Sequence, residues 1–431
     1  MSTDFWSSSH YRKWIVDHVT IRESRAEDLR YVDDPEHLDF LGIFFANIIT
    51  KLCKKLSLRQ RVIGTATVFF RRFYLKNSYC ETEPFIVAAA CCYVAAKAEE
   101  SPVHIKNVVM EARSLFSQDR YGVKNFPSDN TKLAEMEFYL LDDLECDLTV
   151  FNPYRPLLAF CRKEGTQQRT QNTWLPEMEI GEVGVAVDSK DAERYWGNGE
   201  GQLELNEGAL QLAWFIINDT YRADICLLYP PHLIAIAAIY LTLILHQQIR
   251  ETVIPLLAHD APEPSSTSNE PPRRSSRQQP GGGISTPRRQ AQDPVSFLAG
   301  LNVSMPTIFN IAQHIISLYA LWDRYKEDGA PESQARSGNH SAVASPLTQG
   351  STPGTSHKRT MTASRGGSMS APGPTSGSRT PGSEGGTPVI VTPAFLTKML
   401  TRMREAKMAD LAHPASGRPV NKMLERTQAA G

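Results

Sequence analysis

The hydrophobic pattern is densest between Leu58 and Glu100. In LRQRVIGTATVFFRRFY, Val62, Ala66, Phe69 and Phe73 recur at steps of three and four, while Arg59, Arg61, Arg71 and Arg72 lie off that stripe. The spacing predicts an amphipathic helix with one face to a core. A short polar turn follows, and then the pattern changes. Within EPFIVAAACCYVAAKAEE the run Phe85–Ala96 is apolar nearly all round and rich in alanine. A helix apolar on every side has to be sheathed by other helices, and alanine lets them come close. Lys97, Glu99 and Glu100 close the run. Charges at the mouth of a buried helix face a partner surface more naturally than a core.

Helical periods continue on both sides. Ser8 or Ser9 is placed to cap a helix over His10–Arg30, and Leu38, Leu41, Phe44, Phe45, Ile48, Leu52 and Leu56 form one stripe. Shorter signals cover Ile105–Leu115 and Ser128–Cys146. After Asn152-Pro153 the pattern restarts with Tyr154–Arg162, Leu203–Tyr221, Pro231–Gln248, Pro294–Leu301 and Met305–Tyr325. There are thus two rounds of about five helices. Each has a nearly all-apolar middle helix that begins at proline, Pro84–Lys97 and Pro231–Leu245. Such a recurrence reads as a structural repeat despite slight letter identity. No period-two run of strand length stands out, so the class is all-α. The expected organisation is an N-terminal helix region (1–36), a first repeat (37–150) and a second repeat (151–326). Insertions at about 163–202 and 258–292 interrupt the second. Residues 327–431 form a tail rich in serine, proline, glycine and threonine. Insertions and tail lack the large apolar side chains that offset ordering entropy, and disorder is expected there. A short helix signal at 394–408 carries Phe395, Leu396, Met399, Leu400 and Met403. It fits a solvated tail with residual helicity, or a helix that docks on a partner or on the protein itself.

A net charge of −1 over 431 residues supplies no global field for nucleic acid or an anionic membrane. Basic pieces such as PPRRSSRQQP (Pro271–Pro280) read as solvated linker charge. The seven cysteines form no C-x-x-C pair and read as reduced core residues, with Cys91–Cys92 a packing feature. Leu233–Leu245 falls short of the roughly 20 residues that cross a bilayer. The sequence holds no phosphate-binding loop, paired-histidine metal motif or nucleophile elbow, so neither catalysis nor a cofactor is expected. His104, His232 and His246 sit near helix ends, where capping or core roles are the ordinary account. Ser345, Thr352, Thr380, Thr387 and Thr392 in the tail and Thr286 in the second insertion each precede proline and are candidate phosphorylation sites.

The doubled five-helix layout resembles the cyclin fold. Closer likeness lies in FWSSSHYRKW (Phe5–Trp14), LRQRVIGTATVFFRRFY (Leu58–Tyr74), MEFYLLDDLECDL (Met136–Leu148), NPYRPLL (Asn152–Leu158) and AWFIINDTYRADICLLYPPHLIAIA (Ala213–Ala237). These segments resemble the cyclin C family in its fungal form, the cyclin subunits of the Mediator kinase module. The resemblance implies a nuclear, non-catalytic activator of a cyclin-dependent kinase, working with the module's other subunits on RNA polymerase II transcription. It implies a kinase contact centred on Lys97 and Glu137, against the plainer reading of a salt bridge tying two helices. Glu99 and Glu100 would face arginines of the kinase or solvent. Trp6, Tyr11 and Trp14 would help select the kinase or staple the N-terminal helix to the core. Trp214, Asn218, Asp219 and Tyr319 would line a polar-aromatic groove between the repeats, or a hydrogen-bonded interior. The segment IFFANI (Ile43–Ile48) differs from the substrate-docking patch of cell-cycle cyclins, which argues against recruitment of R-x-L peptides. A cyclin of a transcription-elongation kinase and a TFIIB-like nucleic-acid scaffold are the competing readings. The opening FWSSSHYRKW argues against the first, and the lack of a basic face and a zinc ribbon against the second.

Overall fold

Two proline-started, alanine-rich helices organise the chain. In the computed structural model, which describes residues 4–163, 203–246, 293–327 and 390–412, the first of them is α5 (Pro84–Ala98). It is wrapped by α3 (Glu36–Lys55), α4 (Gln60–Lys76), α6 (Ile105–Phe116) and α7 (Thr131–Asp143). Alanines 88, 89, 90, 95 and 96 have no exposed surface, so the neighbouring helices pack directly against its backbone. The second is α11 (Pro231–Leu245), set among α8 (Tyr154–Phe160), α9 (Glu207–Thr220), α10 (Ile225–Leu228), α12 (Pro294–Gly300) and α13 (Met305–Asp323). Proline at the first helical turn costs nothing there, because that N–H has no partner within the helix.

The expected single N-terminal helix is broken. It forms α1 (Ser9–Trp14), α2 (His18–Ser24) and a short 3₁₀ turn at Asp28–Arg30. Ser8 caps α1 and Asp17 caps α2, the latter accepting from Thr20 N at 2.8 Å. A second cap inside the run ends the first helix, because the Asp17 side chain competes for the backbone donors. The expected helix start at Leu203 is instead a strand. β2 (Leu203–Leu205) pairs in parallel with β1 (Cys161–Lys163) at the two edges of the first insertion. Three residues leave no room for an alternating signal. The two insertions, and the proline-directed residues Thr286, Ser345, Thr352, Thr380 and Thr387, lie outside the described residues.

The tail signal is a helix, α14 (Pro393–Ala412), longer than 394–408 and docked on the protein itself rather than solvated. Leu396, Met399, Leu400 and Met403 are buried in the core of the first repeat. Arg402 pairs with Asp33, Arg404 with Glu83 at 2.5 Å, and Lys407 with Glu27 and, at 2.8 Å, Glu81. Val391 exchanges backbone hydrogen bonds with Arg324 and Lys326, so the tail returns where α13 ends. The side chain of Thr392 accepts from Phe395 N at 3.4 Å, at the helix start.

Hydrogen bonds across the repeats fix their seam. Arg71 of α4 donates twice to the Tyr221 carbonyl, at 2.9 and 3.1 Å, and pairs with Asp224. Gly42 of α3 suits this close approach, because a Cβ would stand 3.0 Å from the Arg222 carbonyl.

Candidate functional site

The candidate contact surface is built at the C-terminal mouth of α5. Most of that helix is buried, and its last turn opens to solvent. Lys97 emerges there with 40 % of its side chain exposed and pairs with Glu137 of α7, which keeps 17 %. The Lys97 ammonium also lies 4.4 Å from the centre of the Tyr93 ring. The two charges expected to act together are therefore adjacent. Beside them Phe138 is 74 % exposed. Phe138 falls off the apolar stripe of α7. A large aromatic off the stripe and next to a charged anchor is the signal that could have found it.

The two glutamates that follow Lys97 part company. α5 ends with Ser101 N bonding to the Ala96 carbonyl at 2.9 Å, and Glu100 takes the left-handed backbone at φ 53°. Helices commonly close in this way, with glycine at the left-handed position. Here the turn throws the Glu100 side chain outward. Glu99 folds inward instead, its side chain only 9 % exposed, pairing with Arg61 and accepting from Thr65 Oγ1 at 2.6 Å. Inside the free chain Glu99 is thus committed to the protein's own residues, and of the pair only Glu100 faces solvent.

The N-terminal aromatics are largely staples. Trp14 is buried, donates from Nε1 to Asp147 at 3.2 Å and lies over Arg72 and Lys76. Trp6 and Tyr11 stack edge-on at 4.6 Å, with Trp6 half-buried and Tyr11 exposed. Phe5 is buried among Trp6, His10, Tyr11 and Phe151. His10 accepts from Phe151 N through Nδ1 at 3.0 Å, so its ring has to stay neutral. Burial, then the nearby Arg72, holds His10 well below the usual histidine range, and burial pushes His232 down to about 4. Between that value and 6.5 the unfolded chain binds protons that the folded chain does not. Stability therefore rises with pH over this window and is lost as pH falls, by about 3 kcal/mol from His232 alone. The unfolding midpoint is expected to drop steadily from pH 7 to 4.5 and to drop less in His232→Phe. Equal slopes would show that this ring is not the source.

The four inter-repeat residues come together. Trp214 stacks on Tyr154 with centroids 4.5 Å apart, and the Tyr154 hydroxyl donates to Asn218 at 2.8 Å. Tyr319 donates to Asp219 at 3.0 Å, and Arg222 pairs with the same carboxylate at 3.0 Å while lying 3.9 Å from the Trp322 ring centre. Burial raises the Asp219 carboxyl above the usual range, against the pull of Arg222 and Tyr319. None of the four is fully buried. They form a joined, half-open network. Of the helix-end histidines, His104 caps α6 by accepting from Lys106 N at 3.2 Å, and His232 is a core residue. Six of the seven cysteines are buried and free, and Cys146 is exposed.

Comparison with known proteins agrees with this layout. Residues 33–149 match the family described as cyclin, N-terminal domain. The RNA polymerase II holoenzyme cyclin-like subunit of Mycosarcoma maydis is 36 % identical over 367 residues, covering 74 % of this chain and 90 % of that protein. Cyclin-C of Rattus norvegicus is 34 % identical over 251 residues, covering 58 % of this chain and 74 % of that one. A chain of the CAK complex of Chaetomium thermophilum bound to ATP-gamma-S aligns with a TM-score of 0.42 at 14 % identity, over 74 % of this chain and 81 % of that chain, a likeness too slight to bear on function. With both helical repeats in place and relatives of this kind across most of its length, the chain belongs to the cyclin C family of RNA polymerase II holoenzyme cyclin-like subunits.

Proposed function

We propose that this chain binds and activates a serine/threonine cyclin-dependent kinase, that of the Mediator kinase module, and so regulates RNA polymerase II transcription in the nucleus. On this reading the kinase phosphorylates the polymerase tail and transcription factors. The observation that carries it is the Lys97–Glu137 pair at the mouth of a buried helix, beside an aromatic left bare in the free chain. A protein kinase works only when its helix C carries a glutamate inward to the active-site lysine. A cyclin holds that helix with an apolar surface and a few fixed polar anchors. Lys97 has donors for backbone carbonyls and Glu137 has acceptors for backbone amides. Each charge-assisted bond is worth about 1.5–3 kcal/mol. Moving a two-state kinase from mostly off to mostly on takes about 5.5 kcal/mol of differential binding. Two anchors with Phe138 buried reach that figure. Glu100 faces kinase arginines in this reading. The network around Trp214, Asn218, Asp219 and Tyr319 receives another subunit of the module or a substrate.

Co-expression with candidate cyclin-dependent kinases tests the reading. The chain is expected to co-purify with the Mediator kinase and raise its activity. Co-purification with an elongation kinase alone, or salt-sensitive DNA binding without any kinase, would remove it. The role of Glu100 has its own measurement. Glycine suits the left-handed backbone, so Glu100→Gly is expected to stabilise the free chain by about 0.5–1 kcal/mol while lowering kinase activation. Unchanged activation with normal binding takes Glu100 out of the contact.

A further inference from the structure

The hydrogen bonds that turn Glu99 inward continue into the second repeat. Thr65 Oγ1 donates to Glu99 at 2.6 Å and accepts from Asn152 Nδ2 at 3.2 Å. Asn152 Oδ1 accepts from the Tyr221 hydroxyl at 2.6 Å. All three side chains are buried. Thr65 lies in the first half of α4, Asn152 on the link that leads into α8, and Tyr221 at the C-terminal end of α9. A carboxylate only accepts, so it sets the direction of every bond behind it. The Thr65 proton goes to Glu99, which leaves the hydroxyl lone pairs for the Asn152 amide, and the Tyr221 proton goes to the Asn152 carbonyl. A chain of bonds aligned toward one charge is stronger than its separate links.

Gly64 makes room for this chain. A Cβ there would stand 3.0 Å from Asn152 Oδ1 and 3.0 Å from the Tyr221 hydroxyl, so a larger residue would press both side chains away from α4. A second branch runs alongside: Gln60 Nε2 donates to the Tyr154 hydroxyl at 3.2 Å, and that hydroxyl donates to Asn218. One polar route thus runs from the end of α5 through α4 to the second repeat, and a second ties α4 to that repeat beside it.

We propose that Thr65, Asn152 and Tyr221 are positioning residues for kinase activation. Through Glu99 they hold the last turn of α5, and with it Lys97 and Glu100, in a fixed pose against the second repeat. The proposal rests on reading the Lys97–Glu137 face as the kinase contact. It predicts a specific split. Loosening the route leaves the chain able to bind the kinase, but the anchors no longer hold helix C in one pose.

The test uses the full chain purified with its kinase. Tyr221→Phe removes a single oxygen, and Thr65→Val keeps the shape of the side chain while removing the hydroxyl. Kinase turnover at saturating cyclin, cyclin affinity and the unfolding midpoint are measured for each. Turnover is expected to fall roughly 2- to 30-fold, with affinity changed less, and Thr65→Ser is expected to restore most of it. Should Thr65→Val fail to fold, Tyr221→Phe carries the same readout. A lower midpoint with unchanged turnover at saturation would make these residues purely structural and overturn the proposal. If Lys97→Ala and Glu137→Ala both bind and activate the kinase normally, the contact reading itself falls and the proposal falls with it.

Discussion

Glu137→Ala is expected to lower affinity for the kinase by roughly 30-fold or more while moving the unfolding midpoint of the free chain very little. On the proposed contact the two effects separate, because the pair would change environment on binding. In the free chain Lys97 keeps 40 % of its side chain in water. An ion pair that exposed contributes about 0.2–1 kcal/mol to the fold. Against a kinase both charges lose water, and truncating one leaves the other buried and unpaired, a cost of about 2–5 kcal/mol. Lys97→Ala should behave in the same way. The double replacement should cost clearly less than the sum of the two, because the second change removes the group that the first one stranded. Phe138→Ala belongs to the same experiment. Its ring is already exposed in the free chain, so truncation should weaken kinase binding without weakening the fold. Affinities from titration and midpoints from thermal melts decide the matter. A drop in midpoint of several degrees with unchanged affinity would mean that the pair only ties α5 to α7.

Arg71→Met should have the opposite profile, with a large loss of fold stability. Arg71 is buried and makes two hydrogen bonds to the Tyr221 carbonyl as well as its pair with Asp224. Burial pushes the Asp224 carboxyl up, yet it lies below the usual carboxylate range because Arg71 and Arg25 outweigh that push. Without Arg71 the carboxylate is left facing a seam with too little compensating charge, and the Tyr221 carbonyl loses its donors. Breaking a buried pair in this way costs about 3–5 kcal/mol. Asp224 keeps 24 % of its side chain exposed, which favours the lower end. For a domain of this size that is a fall in midpoint of about 6–12 °C. Adding Asp224→Asn should recover part of the loss by removing the stranded charge. A fall of under 2 °C would show that Arg71 and Asp224 do not carry the seam.

The sequence by itself determined the two-fold helical layout, because the central helices advertise their burial. Phe85–Ala96 and Leu233–Leu243 are apolar at nearly every position, and only a sheath of helices satisfies such a pattern. Their proline starts marked the N-terminal boundaries, and Pro84 and Pro231 do begin α5 and α11. The chain family was also legible, since the segments of likeness run in order through both repeats. What the sequence could not decide was the direction in which a given polar side chain points. Glu99 and Glu100 are adjacent and identical, and a left-handed backbone at one residue sends them to opposite sides. Trp14 reads as well for an anchor as for a staple until Asp147 and Arg72 are placed against it. The stripe Leu396, Met399, Leu400 and Met403 fits a solvated tail as well as a docked helix, and its pattern alone does not choose between them. Its apolar face and basic residues find their acidic and apolar counterparts only where Glu27–Asp33 and the turn at Glu81–Glu83 are folded side by side. Periodicity reports which face of an element is apolar. Which surface covers that face, and which charge meets which, depends on residues far apart in the chain, and only tertiary packing brings those together.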